Sequence, residues 1–300
     1  MMYVPTPSLF SGCATALVTP FLRNNAMDTD SLRHLIALQI DGGIDALVIL
    51  GTTGEPCTLS MIEREQVIST ALDAVNNQIP VIVGTGANDT KKAIEYARQA
   101  KELGAQGQLC VTPYYNKATP NGLLQHFGAI LDSCDLPMIL YNVPSRTGMS
   151  IPAATAAALV KRHNIVGIKE ASGNPIYAMD IIEQTNGKLP VYCGNDDLIL
   201  PLMAIGAKGV ISVCSNIIPA QTKALAQACL TGALSEARSR QLALMPLIRA
   251  LFSQVNPIPV KAALSMMGLI HEELRLPLTS LEEPYRGKLR AILRQLKLIS

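Results

Sequence analysis

Short apolar runs recur along the chain and predict a repeated strand–helix unit. The runs are nearly continuous in apolar residues, which is typical of parallel strands covered on both faces. Eight runs have this pattern, and they begin at Cys13, Ala46, Val81, Gln108, Met138, Ile165, Pro190 and Gly209. No strand is predicted after Asn216.

Longer segments with helical periodicity lie between the predicted strands. Residues 60–77 open with Ser60 and Glu63 at capping-box spacing, and the apolar residues that follow fall on one face. Residues 28–41 and 90–103 are each followed by glycine, a helix stop signal. Eight strand–helix units with short connections favour an α/β fold, a closed (β/α)8 TIM barrel, over an open sheet.

The predicted barrel spans residues 1–232 of the 300-residue chain. Barrels of this class commonly form one domain of roughly 200–250 residues. Residues 233–300 carry helical patterns interrupted by Pro and Gly, so we expect them to form a C-terminal helical appendage.

Composition argues against several classes of function. Hydrophobic residues make up 49% of the chain, enough for a large core, and the net charge of +2 gives no electrostatic basis for binding nucleic acid or an anionic membrane. The apolar runs are too short to span a bilayer, and residues 1–12 do not resemble a secretory signal. The seven cysteines include no CxxC pair. We therefore expect a cytoplasmic protein without disulfides or a zinc site.

One charged residue interrupts the sixth predicted strand. In the stretch IVGIKEASGN, Lys169 follows Ile168 with no break in the apolar pattern, although a lysine is rarely buried unless it is paired. Two ordinary explanations are available: the head group reaches water at the end of the strand, or it pairs with Glu170. Structural ion pairs outnumber catalytic lysines, so Lys169 alone does not establish a reaction.

Polar motifs follow most of the predicted strands, where the active sites of such barrels lie. They are GTTGE, GTGAND, TPYYN, YNVPSRTG, GIKEASG and GND, in chain order. Taken singly, GTTGE is a plausible turn, and GTGAND lacks the third glycine of a dinucleotide-binding fingerprint. No GxSxG elbow of a serine hydrolase is present. The histidines form no metal-binding pair and lie scattered at His34, His126, His163 and His271.

Together these motifs suit Schiff-base chemistry. A lysine amine attacks a carbonyl when it is neutral, and desolvation in a barrel favours the neutral form. Tyr141, predicted on the neighbouring strand, is suited to moving protons, with Thr52 and Tyr115 as a relay. The backbone N–H groups of residues 52–54 form a candidate carboxylate site, and Arg146 a second one. Two anion sites beside the lysine suggest the joining of two small acids.

The motifs GTTGE, TPYYN, YNVPSRTG and GIKEASG, in this order and spacing, resemble the dihydrodipicolinate synthase family. The resemblance covers essentially the whole chain, including NPIPVK at residues 256–261. It implies a lyase that joins pyruvate and L-aspartate-4-semialdehyde by a class I aldolase-type condensation in lysine and diaminopimelate biosynthesis. It also implies a homotetramer, a dimer of dimers, that needs no metal or organic cofactor.

The same resemblance implies roles for individual residues. Lys169 corresponds to the Schiff-base lysine, Tyr141 to the general acid/base, and Thr52 to a proton relay. Tyr115 corresponds to a relay tyrosine that family members insert from a neighbouring subunit. The implied substrate-binding residues are Thr53 for the carboxylate of pyruvate, Arg146 for that of the aldehyde substrate, and Gly194 and Ile211 for the lining of the pocket.

One region departs from lysine-inhibited members of the family. Those members carry polar or acidic groups in a subunit-interface pocket that binds lysine, whereas this chain has Met61, Arg64 and Lys92 there, with Asn88 and Tyr114 matching. Lys92 replaces a glutamate, and a cation at that position repels a lysine ligand. We therefore expect weak or absent feedback inhibition.

Two alternatives stay open. Another pyruvate-dependent class I aldolase, such as N-acetylneuraminate lyase or a 2-keto-3-deoxy sugar-acid aldolase, would share Lys169 and Tyr141. Arg146 is the discriminating residue, because a sugar substrate calls for groups that read hydroxyls. The second alternative is a non-catalytic barrel that senses keto acids, which predicts binding without a covalent adduct.

Overall fold

The computed structural model describes residues 8–162 and 164–300. Eight parallel strands close into a barrel in which each strand pairs with the next and the last pairs with the first. The predicted TIM barrel is confirmed. The strands are β1 (Gly12–Ala16), β2 (Ala46–Ile49), β3 (Val81–Gly84), β4 (Gly107–Val111), β5 (Met138–Asn142), β6 (Ile165–Glu170), β7 (Val191–Cys193) and β8 (Gly209–Ser212).

Helices follow the strands and continue after β8. They are α1 (Thr29–Asp41), α2 (Met61–Val75), α3 (Thr90–Glu102), α4 (Pro120–Ser133), α5 (Pro144–Thr147), α6 (Ala153–Leu159), α7 (Pro175–Gln184), α8 (Ile199–Ala204), α9 (Pro219–Leu230), α10 (Leu234–Leu251), α11 (Ile258–Met266) and α12 (Glu283–Gln295).

The three helices predicted in detail correspond to α1, α2 and α3. Helix α2 begins with the predicted capping box: Ser60 Oγ accepts from the backbone N–H of Glu63, and the Glu63 carboxylate accepts from the N–H of Ser60. Two otherwise unpaired donors at the helix start are thereby satisfied. Local sequence signals decide where this helix starts.

Two apolar layers result from the alternation of side chains along the strands. The inner layer fills the barrel and includes Val48, Tyr141 and Ile211. The outer layer lies between the strands and the helices and includes Leu140 and Ile168. A residue between two outward-facing neighbours on a strand therefore faces the barrel interior.

The C-terminal helices close over the barrel. Helix α10 packs on α9 and α12, and α11 packs on α12. The predicted boundary at residue 232 falls between α9 and α10, and the division into two domains stays a prediction. No helix in the described residues is long and apolar enough to cross a membrane. The prediction about a secretory signal concerns residues that lie largely outside the described ones, as does His163.

Candidate active site

Lys169 and Tyr141 lie side by side inside the barrel. Strands β5 and β6 pair these two residues directly in register, so the backbone brings them together. Their exposed fractions are 5% and 6%, and Lys169 Nζ lies 4.7 Å from the centroid of the Tyr141 ring. The first ordinary explanation, an ammonium group in water at the end of the strand, is therefore wrong.

Glu170 is not the partner of Lys169 either. It faces outward, where its carboxylate accepts from Asn142 Nδ2 at 2.7 Å and from the Ser172 N–H at 2.6 Å. Burial raises the pKa of this carboxyl group, and the two hydrogen bonds oppose that shift. Within residues 8–162 and 164–300, no carboxylate forms an ion pair with Lys169.

Gly194 leaves the space that the lysine side chain occupies. A Cβ atom at this position would lie 2.6 Å from Ala171 Cβ and 2.9 Å from the Glu170 backbone oxygen, which is too close, and it would also press on Lys169 Cε at 3.0 Å. Gly194 follows β7, the strand next to β6. A glycine is therefore required beside Lys169 for steric reasons.

A cavity of about 330 Å³ opens beside this pair at the carboxyl ends of the strands, and we call it the rim cavity. Tyr141 forms part of its wall, whereas its neighbour Lys169 does not. Thr52 and Arg146 also lie on the wall, as predicted for an active site at this end of the barrel. Other wall residues are Tyr114, Val143, Asn256 and Pro277.

The Thr52–Gly54 turn forms one side of the rim cavity. Its internal hydrogen bonds use the N–H groups of Gly54, to Gly51 O at 2.9 Å, and of Glu55, to Thr52 O at 3.2 Å. The N–H groups of the two threonines take no part in those bonds, as an anion-binding turn requires. Thr53 is buried, and its Oγ1 accepts from Asn256 Nδ2 at 3.0 Å.

Arg146 stands at the mouth of the rim cavity on the short helix α5. The side chain is exposed, and its Nη2 donates to the backbone oxygen of Asn256 at 3.1 Å. That single bond leaves most of the guanidinium donors available to a carboxylate. Asn256 thus contacts both predicted carboxylate-binding residues.

Five predicted site residues are not on the rim cavity wall: Lys169, Thr53 and Gly194, described above, and Tyr115 and Ile211. Tyr115 is 94% exposed and has a left-handed backbone with φ 71°, so one chain alone does not bring it beside Tyr141. Ile211 is fully buried in the inner layer of the barrel, in the same apolar cluster as Tyr141. Their predicted roles stay predictions.

Asn256, Glu55 and Lys261 were missed as site residues. The motifs GTTGE and NPIPVK contain all three, but no role was assigned to them. Glu55 and Lys261 form an ion pair at 2.6 Å with both side chains almost fully buried. The sequence signal for Lys261 was a lysine within an apolar segment, the same feature that drew attention to Lys169 on its strand.

Two of the residues that depart from lysine-inhibited members, Arg64 and Lys92, lie against the Tyr96 ring. The buried Arg64 guanidinium stacks 3.7 Å from the ring centroid, and Lys92 Nζ lies 5.7 Å from it. Burial lowers the pKa of Arg64 to about 10. Met61 is exposed, and Tyr114 lies on the rim cavity wall. Two cations therefore share one aromatic ring at this place.

The arrangement suits covalent chemistry on a small keto acid. It combines a water-shielded amine, a neighbouring phenol, a turn with N–H groups outside its own hydrogen bonding, and a cation at the mouth. Among the described residues, no group of three or more His, Cys, Asp and Glu side chains is placed to hold a metal ion.

Comparison with known proteins identifies the family. The model of the dihydrodipicolinate synthetase family matches residues 9–296. The 4-hydroxy-tetrahydrodipicolinate synthase of Geobacter sp. (strain M21) is 48% identical over 291 residues, which cover 97% of this chain and 100% of that relative.

Solved structures agree with that match. The dihydrodipicolinate synthase of Thermotoga maritima is 43% identical with a TM-score of 0.95, covering 97% of this chain and 100% of that one. The Acinetobacter baumannii enzyme complexed with pyruvate is 45% identical with a TM-score of 0.94, covering 96% and 99%. The chain therefore belongs to the dihydrodipicolinate synthetase family.

Proposed function

We propose that this chain catalyses the condensation of pyruvate with L-aspartate-4-semialdehyde, the reaction of a 4-hydroxy-tetrahydrodipicolinate synthase. The observation that carries the proposal is the buried pair of Lys169 and Tyr141, joined by strand register beside the rim cavity. A shielded amine next to a phenol supports Schiff-base catalysis. The full-length similarity to named synthases supports this reaction over that of a sugar-acid aldolase.

The reaction begins when the Lys169 amine attacks the keto carbon of pyruvate to form a carbinolamine. The carbinolamine hydroxyl group takes up a proton and leaves as water, which gives the iminium ion. The methyl carbon of pyruvate then loses a proton, and the resulting enamine attacks the aldehyde carbon of the second substrate. This step makes the new carbon–carbon bond. The amino group of the second substrate then attacks the iminium carbon, which closes the ring and releases the lysine amine.

Tyr141 is the residue best placed to carry the protons in these steps, because its ring lies 4.7 Å from Lys169 Nζ. The Thr52–Gly54 turn binds the carboxylate of pyruvate through its backbone N–H groups, with Thr53. Arg146 binds the carboxylate of the aldehyde substrate at the mouth. No step requires a cofactor.

Tyr115 completes the proton relay from a neighbouring subunit in this proposal. A tyrosine that is 94% exposed with a strained backbone is unusual in a single chain, and a second copy that takes up the ring would explain it. The implied assembly is a homotetramer. We place it in the cytoplasm, where reducing conditions suit buried thiols such as Cys13 and Cys110.

Borohydride reduction in the presence of pyruvate tests the proposal. A stable adduct located on Lys169 by peptide mass measurement is expected, and it excludes a non-covalent sensor of keto acids. The Lys223→Met variant is the matched control, because it removes a half-buried lysine that pairs with Asp45 away from the rim cavity, and it should still form the adduct on Lys169.

Consumption of L-aspartate-4-semialdehyde by the pyruvate-loaded enzyme then distinguishes a synthase from a sugar-acid aldolase. Adduct formation with turnover of a sugar acid, and not of the semialdehyde, would assign the chain to the sugar-acid aldolases. Absence of any adduct would contradict Schiff-base chemistry altogether.

A further inference from the structure

A buried ion pair links the Thr52–Gly54 turn to the C-terminal helices. Glu55 directly follows the turn, and Lys261 lies on α11, 206 residues further along the chain. The Nζ–Oε1 distance is 2.6 Å, and the exposed fractions of the two side chains are 0% for Lys261 and 1% for Glu55. The proposed reaction uses neither residue.

Burying such an ion pair costs desolvation free energy. Removing two charges from water costs several kcal/mol per ion, so a buried pair often stabilises a fold no more than apolar residues of similar volume do. Burial indeed lowers the pKa of the Lys261 ammonium, while Glu55 opposes that shift. The Phe21 ring, 4.3 Å from Lys261 Nζ, gives the ammonium a second contact. Stability alone is therefore a weak reason for this pair.

The pair holds a strained residue in one position. Glu55 has a left-handed backbone with φ 53°, which is uncommon for a residue other than glycine. Its second carboxylate oxygen accepts from the backbone N–H of Arg275 at 3.2 Å, so both oxygens are fixed by C-terminal residues. The carboxylate cannot turn without breaking one of these bonds.

The position of Glu55 affects the Thr52–Gly54 turn directly. The Glu55 N–H donates to Thr52 O at 3.2 Å, so a shift of Glu55 moves the residues that bear the anion-binding N–H groups. On the other side, Gly54 O accepts from Thr19 Oγ1 at 2.8 Å. The position of the turn is therefore set from the barrel at one end and from the C-terminal helices at the other.

We propose that Glu55 and Lys261 are positioning residues, which hold the Thr52–Gly54 turn in the geometry that binds the carboxylate of pyruvate. This proposal rests on the proposed function. It predicts that loss of the pair weakens pyruvate binding, while the Lys169 amine and Tyr141, which the barrel strands hold, keep their chemistry.

The decisive variant is the double substitution Glu55→Gln with Lys261→Met, because removing both charges avoids an unpaired buried ion. The expected result is a folded protein whose KM for pyruvate rises roughly 10- to 100-fold, the loss expected for one hydrogen bond to a charged group. At saturating pyruvate, kcat and the KM for the aldehyde substrate should stay within about threefold of the wild type. The single variant Lys261→Met, which leaves Glu55 buried and unpaired, should raise the KM for pyruvate at least as much.

The matched control is Arg286→Met, which breaks the Arg286–Glu272 ion pair of the C-terminal region without touching the turn. It should lower the melting temperature and leave the KM for pyruvate unchanged. An unchanged KM in the double variant, with a loss of stability like that of the control, would overturn the positioning role. A wild-type protein that forms no pyruvate adduct would instead overturn the proposed function, and the positioning role with it.

Discussion

The rim cavity has two walls that are held in different ways. The strand wall, Tyr141 with its neighbour Lys169, is placed by the backbone pairing of β5 with β6. The turn wall, the Thr52–Gly54 turn, is held by side chains more than 200 residues away, Asn256 and Lys261. The barrel backbone thus places Lys169 and Tyr141, which react in the proposed mechanism, while long-range side chains place the turn that is proposed to bind pyruvate. Changes in the strand wall should therefore act on kcat, and changes near the turn wall on KM.

The largest effect is expected from Lys169→Ala. Removing the amine should abolish the pyruvate adduct and lower turnover by at least about 10⁴-fold, because the proposed intermediate is a covalent bond to this amine. Borohydride trapping measures the adduct, and single-turnover assays measure the rate. The circular dichroism spectrum should stay that of the wild type. Residual adduct at another lysine would show that the strand wall does not carry the nucleophile.

Tyr141→Phe should have the next largest effect. Loss of the phenol should slow the proton steps by about 10²–10⁴-fold, since general acid/base groups contribute that much. The adduct with pyruvate should still form, because the amine is intact. Steady-state kcat and trapped adduct are the two measurements. Full kcat in this variant would refute the role assigned to Tyr141.

Arg146→Leu tests the mouth of the cavity. The KM for L-aspartate-4-semialdehyde should rise roughly 10- to 100-fold, the loss expected for a hydrogen bond to a charged group. The KM for pyruvate should not change, because the Thr52–Gly54 turn is untouched. Arg146→Lys keeps the charge but loses the two parallel N–H donors of the guanidinium, so its KM for L-aspartate-4-semialdehyde should lie between those of the wild type and Arg146→Leu. A rise in both KM values would mean that Arg146 acts by holding Asn256.

Lysine itself should have little effect on the rate. Arg64 and Lys92 both contact the Tyr96 ring, so a cationic ligand there meets two like charges. Steady-state assays with lysine up to millimolar concentration should show an unchanged rate. Inhibition at micromolar lysine would refute this prediction.

The smallest effect is expected on the free energy of unfolding at low pH, through the ion pair of Glu63 with Arg275. Hydrogen bonds from the Arg275 guanidinium lower the pKa of Glu63 to about 2, below its ordinary 4.5. Because the folded pKa is lowered, the contribution to stability is full above pH 4.5 and disappears as pH falls towards 2. Glu63→Gln should cost about 1 kcal/mol or less at neutral pH, since the pair is partly exposed.

Urea unfolding at a series of pH values measures this contribution. The difference between Glu63→Gln and the wild type should shrink steadily below pH 4.5. Glu236→Gln is the control, because it breaks the more exposed pair with Arg240 and should change stability little at any pH. A pH-independent difference would contradict the account given for Glu63.

Local patterns in the sequence were enough to predict most of the fold. The apolar runs correspond to the eight strands, and the capping box of α2 is formed by the two residues that predicted it. These features depend on neighbours within one turn or one strand, so a linear pattern contains them. The predicted proximity of Lys169 and Tyr141 also followed, because consecutive parallel strands pair in a barrel.

By itself, then, the sequence determined the barrel and the neighbouring positions of Lys169 and Tyr141 on two of its strands. Only the tertiary structure decided that Lys169 forms no ion pair with a carboxylate of the described residues and that Tyr115 is exposed on a single chain. It also decided that Asn256 and Lys261 reach the Thr52–Gly54 turn. The physical reason is the separation along the chain of the residues that interact. Strand order follows from local periodicity, whereas a contact between side chains 200 residues apart depends on how the whole chain packs.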